Sequence, residues 1–400
     1  MKIKFFLILL LITTIFCPNI KGQPITSEIN KTSVDSFIDA KMKESGLIGI
    51  AAAVIVDNKV IWSNGYGYAD IARKKPFTTK TIMNVGSIAK PFVGVSLMQL
   101  AEENIISLDE DINKYLPFKV VNPYFPNEKI TLRNIATHSS SLADREPFYS
   151  DSLFHFNGET PKPLGDFLFN YFVKGGKYYS DSNFYNAKPG DYWEYSNIAA
   201  SLAGHIVELK TGKKLNVYCK EKIFTPLGMK NSGWFLSEIN RDNHAELYKY
   251  TNDTLTRVGL YEGTTYPDGG LRTSVMELTK FYIALLNGGI LKNRRILQKE
   301  SSDQMQTFQF TEYKKPANIN LKEKNEALFW RSKKNMTLIG HGGTDFGLKT
   351  EMNSLLTNDV AVILFTNTEL TNRELGMAYY AIYDYLFEFG KQFKNRKTRK

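Results

Sequence analysis

Apolar residues gather into strand-like runs near both ends of the chain and take helical spacing between them. Residues 49–56 form an unbroken small-apolar and β-branched run, Asp57-Asn58 supplies a turn, and residues 60–68 alternate apolar with polar side chains. That pattern predicts a hairpin. Residues 336–340, 349–356 and 360–366 predict three further strands, the last two joined through Asn358-Asp359. The long middle reads as helix and loop. One helix is expected over residues 32–45. Another is expected over 374–389, with Met377, Tyr380, Ile382, Tyr385 and Phe387 as its core-facing stripe. The simplest architecture is α/β, or α+β in detail. One antiparallel sheet is built from both chain ends, about 46–70 and 336–367, flanked by terminal helices, with a mostly helical region inserted.

The first residues look unlike the rest. Lys2 and Lys4 precede an apolar or hydroxyl run from Phe5 to Phe16, followed by Pro18 and the small Gly22. The run falls short of the roughly 20 apolar residues a membrane helix needs, so it reads as a secretory signal cleaved after about residue 22. The expected location is periplasmic or secreted. Lipid attachment at Cys17 is the rival reading, against which the bulky Phe16 counts. With Cys17 removed, Cys219 is the only thiol and no internal disulfide can form. Stability must then come from a packed core, which residues 23–390 are numerous enough to build as one domain.

A formal charge of +10 on 400 residues suggests a nucleic-acid partner until the charges are located. Lys2, Lys4 and Lys21 lie in the leader, and Lys391, Lys394, Arg396, Lys397, Arg399 and Lys400 lie in the last ten residues. Those nine account for all but about +1. The body is near neutral and carries no nucleic-acid module, so residues 391–400 read as a solvated basic tail.

Chemistry first appears at Ser87-Ile88-Ala89-Lys90, which opens a helical pattern through Val93, Leu97 and Leu100. Residues three apart on a helix share a face, so the lysine amine can reach the serine hydroxyl and take its proton. Pro91 fits only a first turn, where backbone N–H groups lack helical partners. Taken alone, the spacing reads rather as a serine cap followed by a solvated lysine. Two further clusters bear on the choice. Tyr195-Ser196-Asn197 precedes a helical pattern ending at Gly212, and His341-Gly342-Gly343 closes a predicted strand with two residues that let another chain lie close.

In this order the three clusters resemble the S-x-x-K, Y-x-N and K/H-x-G motifs of the serine β-lactamase and penicillin-binding protein superfamily, specifically its class C-like branch. Further landmarks extend the resemblance along the chain: Ile106 to Asp111 with Tyr115-Leu116-Pro117, Ile130-Thr131-Leu132 with Thr137-His138, Pro226 to Met229, and Gly269-Gly270-Leu271. The resemblance implies a β-lactamase/transpeptidase-like fold with Ser87 as nucleophile, Lys90 as its proton acceptor and Tyr195 as proton shuttle. It also implies that Asn197 holds Lys90 or the substrate amide, and that the backbone N–H groups of Ser87 and Thr344 receive the oxyanion. His341, Gly342, Gly343 and Thr344 would line the substrate. His341 stands where many relatives have lysine, which favours peptidase, D-aminopeptidase or esterase chemistry over antibiotic hydrolysis. Ser139-Ser140-Ser141 replaces an expected glycine, and His138 is expected to be structural.

No G-x-S-x-G, H-E-x-x-H, P-loop or paired C-x-x-C occurs. No cofactor and no metal are expected. The expected partner is a small-molecule or peptide substrate, with cell-wall peptides one source. No membrane span is expected after the leader, and oligomeric state is left open. Aromatic residues between Phe167 and Tyr195 are read chiefly as core, with a cleft lining as the alternative.

Overall fold

The computed structural model describes residues 30–156, 158 and 162–398. The expected leader and Cys17 therefore lie outside the described residues. Seven strands form one antiparallel sheet. From edge to edge they are Arg331–Lys333, Leu338–Asp345, Leu348–Leu355, Val360–Thr366, Gly49–Val56, Lys59–Asp70 and Lys75–Pro76. Strands from the two chain ends meet where Ile50 pairs with Thr366 and Val56 with Val360. This is the predicted sheet.

The interior position of the strand Gly49–Val56 explains the unbroken apolar run, because both of its faces are covered. Ala51, Ala53 and Ile55 face one core, shared with the inserted helical region. Ile50, Ala52, Val54 and Val56 face a second, closed by the helices Lys31–Ser45 and Arg373–Thr398. Each fully buried Val, Ile or Leu contributes on the order of 1.5–3 kcal/mol. The hairpin turns through Asp57 and Asn58 at φ +49° and +59°, the left-handed pair that a two-residue β-turn demands.

Two expectations shift at the C-terminus. The last helix buries Leu375, Tyr379, Ile382, Tyr383 and Leu386, a 3.6-residue stripe, and so turns Met377 and Tyr380 outward at 48% and 40% exposure. Tyr385 instead stacks on Phe37 at 4.1 Å, joining the two terminal helices. The helix also continues to Thr398, through most of the stretch expected as a solvated tail. Lys394 pairs with Asp359 at 2.5 Å and with Asp57 at 3.5 Å, and Lys397 pairs with Asp57 at 3.0 Å. These basic residues reach back to the two turns of the sheet. Cys219 is free and buried, and burial pushes its thiol up to about 12.

One buried carboxylate is surrounded by cations. Glu351 accepts from Lys333 Nζ at 2.6 Å and Asn353 Nδ2 at 2.8 Å, with Lys349 Nζ at 3.2 Å. Burial alone would raise its carboxyl, but the two lysines outweigh that and hold it down at about 2. A carboxylate depressed on folding contributes stability above its ordinary value near 4.5 and loses it as pH falls toward the folded value. Glu351→Gln should therefore be about 3 kcal/mol less stable than wild type at pH 7, with the gap narrowing between pH 4.5 and 2. Urea unfolding across that range checks this. A gap independent of pH would show that the charge of Glu351 is not what matters.

Candidate active site

Ser87 lies in a single 3-10 turn, Gly86–Ala89, and the α-helix proper begins at Lys90 with Pro91 in its first turn. The turn is pinned from three sides. Val85 N–H donates to Leu271 O at 2.9 Å, Gly86 N–H to Asn84 Oδ1 at 2.9 Å, and Thr350 Oγ1 to Val85 O at 2.8 Å. Behind it runs the strand Leu338–Asp345. A Cβ at Gly343 would stand 2.1 Å from Val85 O, and one at Gly86 would stand 3.3 Å from Thr344 N. Gly86 also takes φ +54°, which glycine adopts without cost. The glycines therefore let the serine turn and the strand lie backbone to backbone. This corrects the expected strand end at Gly340: pairing with Leu348–Leu355 carries the strand through His341 to Asp345.

Lys90 is fully buried beneath Ser87. Its ammonium donates to Ser87 Oγ at 3.0 Å, Asn197 Oδ1 at 2.7 Å and the Asp268 carbonyl at 2.8 Å. Three partners satisfy all three donors of a lysine head, which fixes it against the serine oxygen. Asn197 opens the helix Asn197–Thr211, capped by Ser196, whose Oγ accepts from Ala199 N–H at 3.1 Å. Asp144 sets the orientation of Asn197. Its carboxylate accepts from Asn197 Nδ2 at 2.8 Å, from the Asn197 and Ile198 N–H groups at 2.8 and 2.9 Å, and from Ser196 Oγ at 3.0 Å. With the amide nitrogen held there, the amide oxygen is left for Lys90. Burial raises the Asp144 carboxyl above its ordinary value, against which these donors and Lys90 work.

Tyr195 spans the other side of the lysine, with Lys90 Nζ 4.9 Å from its ring centroid. His138 packs on the same ring at 4.2 Å and accepts from Ser196 N–H at 3.3 Å through Nδ1. Buried and held neutral by burial and nearby cations, His138 supports the tyrosine, in keeping with the expected structural role. The serine loop after it takes φ +54° at His138 and +63° at Ser141, left-handed conformations in place of the expected glycine.

His341 departs from expectation. Its ring is 98% buried, Nδ1 lies 2.8 Å from Gly342 O, and Nε2 has no partner in the described chain. A carbonyl can only accept, so Nδ1 carries the proton and Nε2 is a bare acceptor. Burial, with Lys90 and Arg331 close by, holds the imidazole well below its ordinary value. Before substrate binds, the site therefore holds a neutral imidazole near pH 7, whose Nε2 offers an incoming carboxylate no donor. Sequence reasoning missed the cations that line the cleft, Arg331, Lys333 and Lys349. Arg331 lies 5.5 Å from the Tyr195 ring centroid and lines the cleft.

A cleft of about 460 Å³ gathers these groups. Ser87, Tyr195, Asn197, His341, Gly342 and Thr344 line it, Lys90 lies beneath, and Gly343 is turned away against Val85. The cleft's other rings come from Tyr149, Phe154 and Phe346. Phe167, Tyr171, Phe172 and Phe184 are core, so only Tyr195 of the aromatic stretch reaches the cleft. Among the described residues, no three His, Cys, Asp or Glu side chains converge to hold a metal, and no helix is long and apolar enough to cross a membrane.

The Beta-lactamase family model matches residues 34–387 of the chain. Beta-lactamase-like protein 2 of Dictyostelium discoideum is 26% identical over 296 residues, 71% of this chain and 52% of that protein. The chain spans about half the length, or less, of the curated relatives it matches. Among solved structures, the octameric penicillin-binding protein homologue from Pyrococcus abyssi superposes with a TM-score of 0.69 at 25% identity, covering 88% of this chain and 77% of that one. The D-amino acid amidase from Ochrobactrum anthropi superposes with a TM-score of 0.70 at 20% identity, over 91% and 99% of the two chains.

Proposed function

The chain belongs to the β-lactamase family of serine hydrolases, and on that premise we propose that it is an exported acyl hydrolase that forms an acyl-enzyme on Ser87. Its substrates would be amides or esters of small or D-configured acyl groups, as in DD-peptidases, D-aminopeptidases or esterases. The observation that carries this reading is the 3.0 Å contact between Ser87 Oγ and a Lys90 head oriented by Asn197 and Asp268.

With Lys90 in its neutral amine form, its lone pair turned to the serine, Ser87 Oγ attacks the carbonyl carbon as its proton passes to Lys90, and the oxyanion forms against the Ser87 and Thr344 N–H groups. Collapse expels the leaving group, which takes the proton by way of Tyr195. Water activated by Tyr195 then attacks the acyl-enzyme, and the proton returns to Ser87 as the acid is released. Export rests on Lys2 and Lys4 ahead of the apolar or hydroxyl run from Phe5 to Phe16, with cleavage after about residue 22.

The test is incubation with a fluorescent penicillin, D-amino acid amides and short-chain esters, followed by intact mass and product release. Turnover of an amide or ester through a transient adduct is the expected result. A stable adduct without turnover would make the protein an acylatable receptor, and rapid penicillin hydrolysis would make it a β-lactamase.

His341 gives a separate prediction. Since its imidazole stays neutral, kcat/KM for an anionic and a neutral substrate should run parallel between pH 6 and 8 in wild type. An anionic leaving group would meet Arg331 instead. His341→Lys adds a charged donor and should improve carboxylate-bearing substrates, penicillins included, by about 1–3 kcal/mol in kcat/KM. Four pH profiles, two substrates in two proteins, check this. A wild-type profile for the anionic substrate that rises as pH drops through 6.5 would mean that the ring does protonate.

A further inference from the structure

Charges of both signs line the cleft. Arg331 stands beside Tyr195, Lys333 and Lys349 are engaged by Glu351, and the carboxyls of Asp268 and Asp345 stand at the end that Phe154 lines. Among the described residues neither carboxyl forms an ion pair with lysine or arginine. Asp268 is occupied by its neighbours, since Tyr149 Oη and Ser201 Oγ both donate to its Oδ2 at 3.1 Å. Asp345 is less engaged. Its Oδ1 accepts from Phe346 N–H at 2.9 Å, the Tyr261 hydroxyl supports it, and its Oδ2 lies 3.9 Å from where a Cβ of Gly269 would stand. That same Cβ position is 3.9 Å from Gly86 Cα, so the carboxyl opens onto a glycine-lined gap beside the Ser87 turn.

A carboxyl out of water without an ion-pair partner is costly even with Arg272 near Asp345 and Lys90 near Asp268, and a ligand cation lowers that cost. Burial indeed pushes Asp345 up to about 7, and Asp268, one of its neighbours, up to about 6. Which part of the substrate arrives there follows from the proposed reaction, on which this inference rests. The leaving group must face Tyr195, its proton donor, so the acyl part points toward Asp345. Asp345 follows Thr344, whose N–H would face the carbonyl oxygen, and successive Cα atoms are about 3.8 Å apart. An α-amine is one carbon from that same carbonyl.

We propose that Asp345 receives the protonated α-amine of the substrate's acyl residue, so that the enzyme acts on aminoacyl amides and esters with a free amino terminus. Phe154 and Phe346, whose rings meet edge to face at 5.0 Å, flank the same end and would take the side chain of that residue. A charge-assisted hydrogen bond out of water distinguishes an ammonium from an acetamide.

The test uses D-alanine p-nitroanilide and its N-acetyl derivative with wild type, Asp345→Asn and Ser87→Ala. Wild type should prefer the free amine by about 10- to 100-fold in kcat/KM, the usual range for a hydrogen bond to a charged group. Asp345→Asn should lose that factor on the free amine and stay within about threefold on the acetylated substrate. Equal wild-type rates on the two substrates overturn the inference without reference to any variant, and leave the Ser87 reading standing. A parallel fall on both substrates in Asp345→Asn overturns it too, since it would mark Asp345 as structural. Wild type indistinguishable from Ser87→Ala on both would overturn the Ser87 reading and this inference together.

Discussion

Replacing Ser87 by alanine should abolish covalent labelling by penicillins and fluorophosphonates and lower kcat/KM by about 10⁴-fold or more. The fold should be untouched. Ser87 is half-buried and, among the described residues, its hydroxyl is held by Lys90 alone, so the substitution removes one oxygen and one hydrogen bond worth about 1 kcal/mol. Intact mass after incubation, beside the melting temperature, separates lost chemistry from lost structure. An adduct that persists in Ser87→Ala would place the nucleophile elsewhere.

The proton carriers should follow. Tyr195→Phe and Lys90→Ala are each expected to reduce turnover by about 100-fold or more, the scale of a general acid or base. Tyr195→Phe is the cleaner variant, because the ring that packs on His138 at 4.2 Å is retained. Lys90→Ala strips the Asn197 and Asp268 oxygens of a buried partner, so its melting temperature should drop as well. Pre-steady-state bursts would then assign the steps, with loss of Lys90 slowing acylation and loss of Tyr195 slowing both halves. An unchanged steady-state rate in Tyr195→Phe would remove the tyrosine from the mechanism.

Features fixed by nearby residues were legible in the sequence. The Ser87-Lys90 spacing and the Gly49–Val56 run are local patterns, one set by helical geometry and the other by a strand buried on both faces. The C-terminal strand was misjudged because glycine lowers strand propensity. At Gly343 the missing side chain instead makes room for Val85, some 260 residues earlier. Asp144, Asp345 and Arg331 carried no signal at all. Each is an isolated charged residue, and only the folded chain brings Asp144 against Asn197 or Arg331 over Tyr195. The charge state of His341 was hidden for a related reason, since it depends on burial.

The pairing of Gly49–Val56 with Val360–Thr366 governs when the cleft can exist. Its hydrogen bonds close a loop of roughly 300 residues, among the slowest kinds of contact to form. A ribosome-bound chain therefore emerges with one edge of the Gly49–Val56 strand bare, and with the Ser87 turn lacking the Gly343 strand behind it, until synthesis has passed residue 366. Exposed strand edges of that kind are where aggregation starts. Any chaperone, holding factor or low-temperature regime that improves the yield of this protein should act in that interval, and chains ending before Leu338 should have no functional serine however well their helices fold.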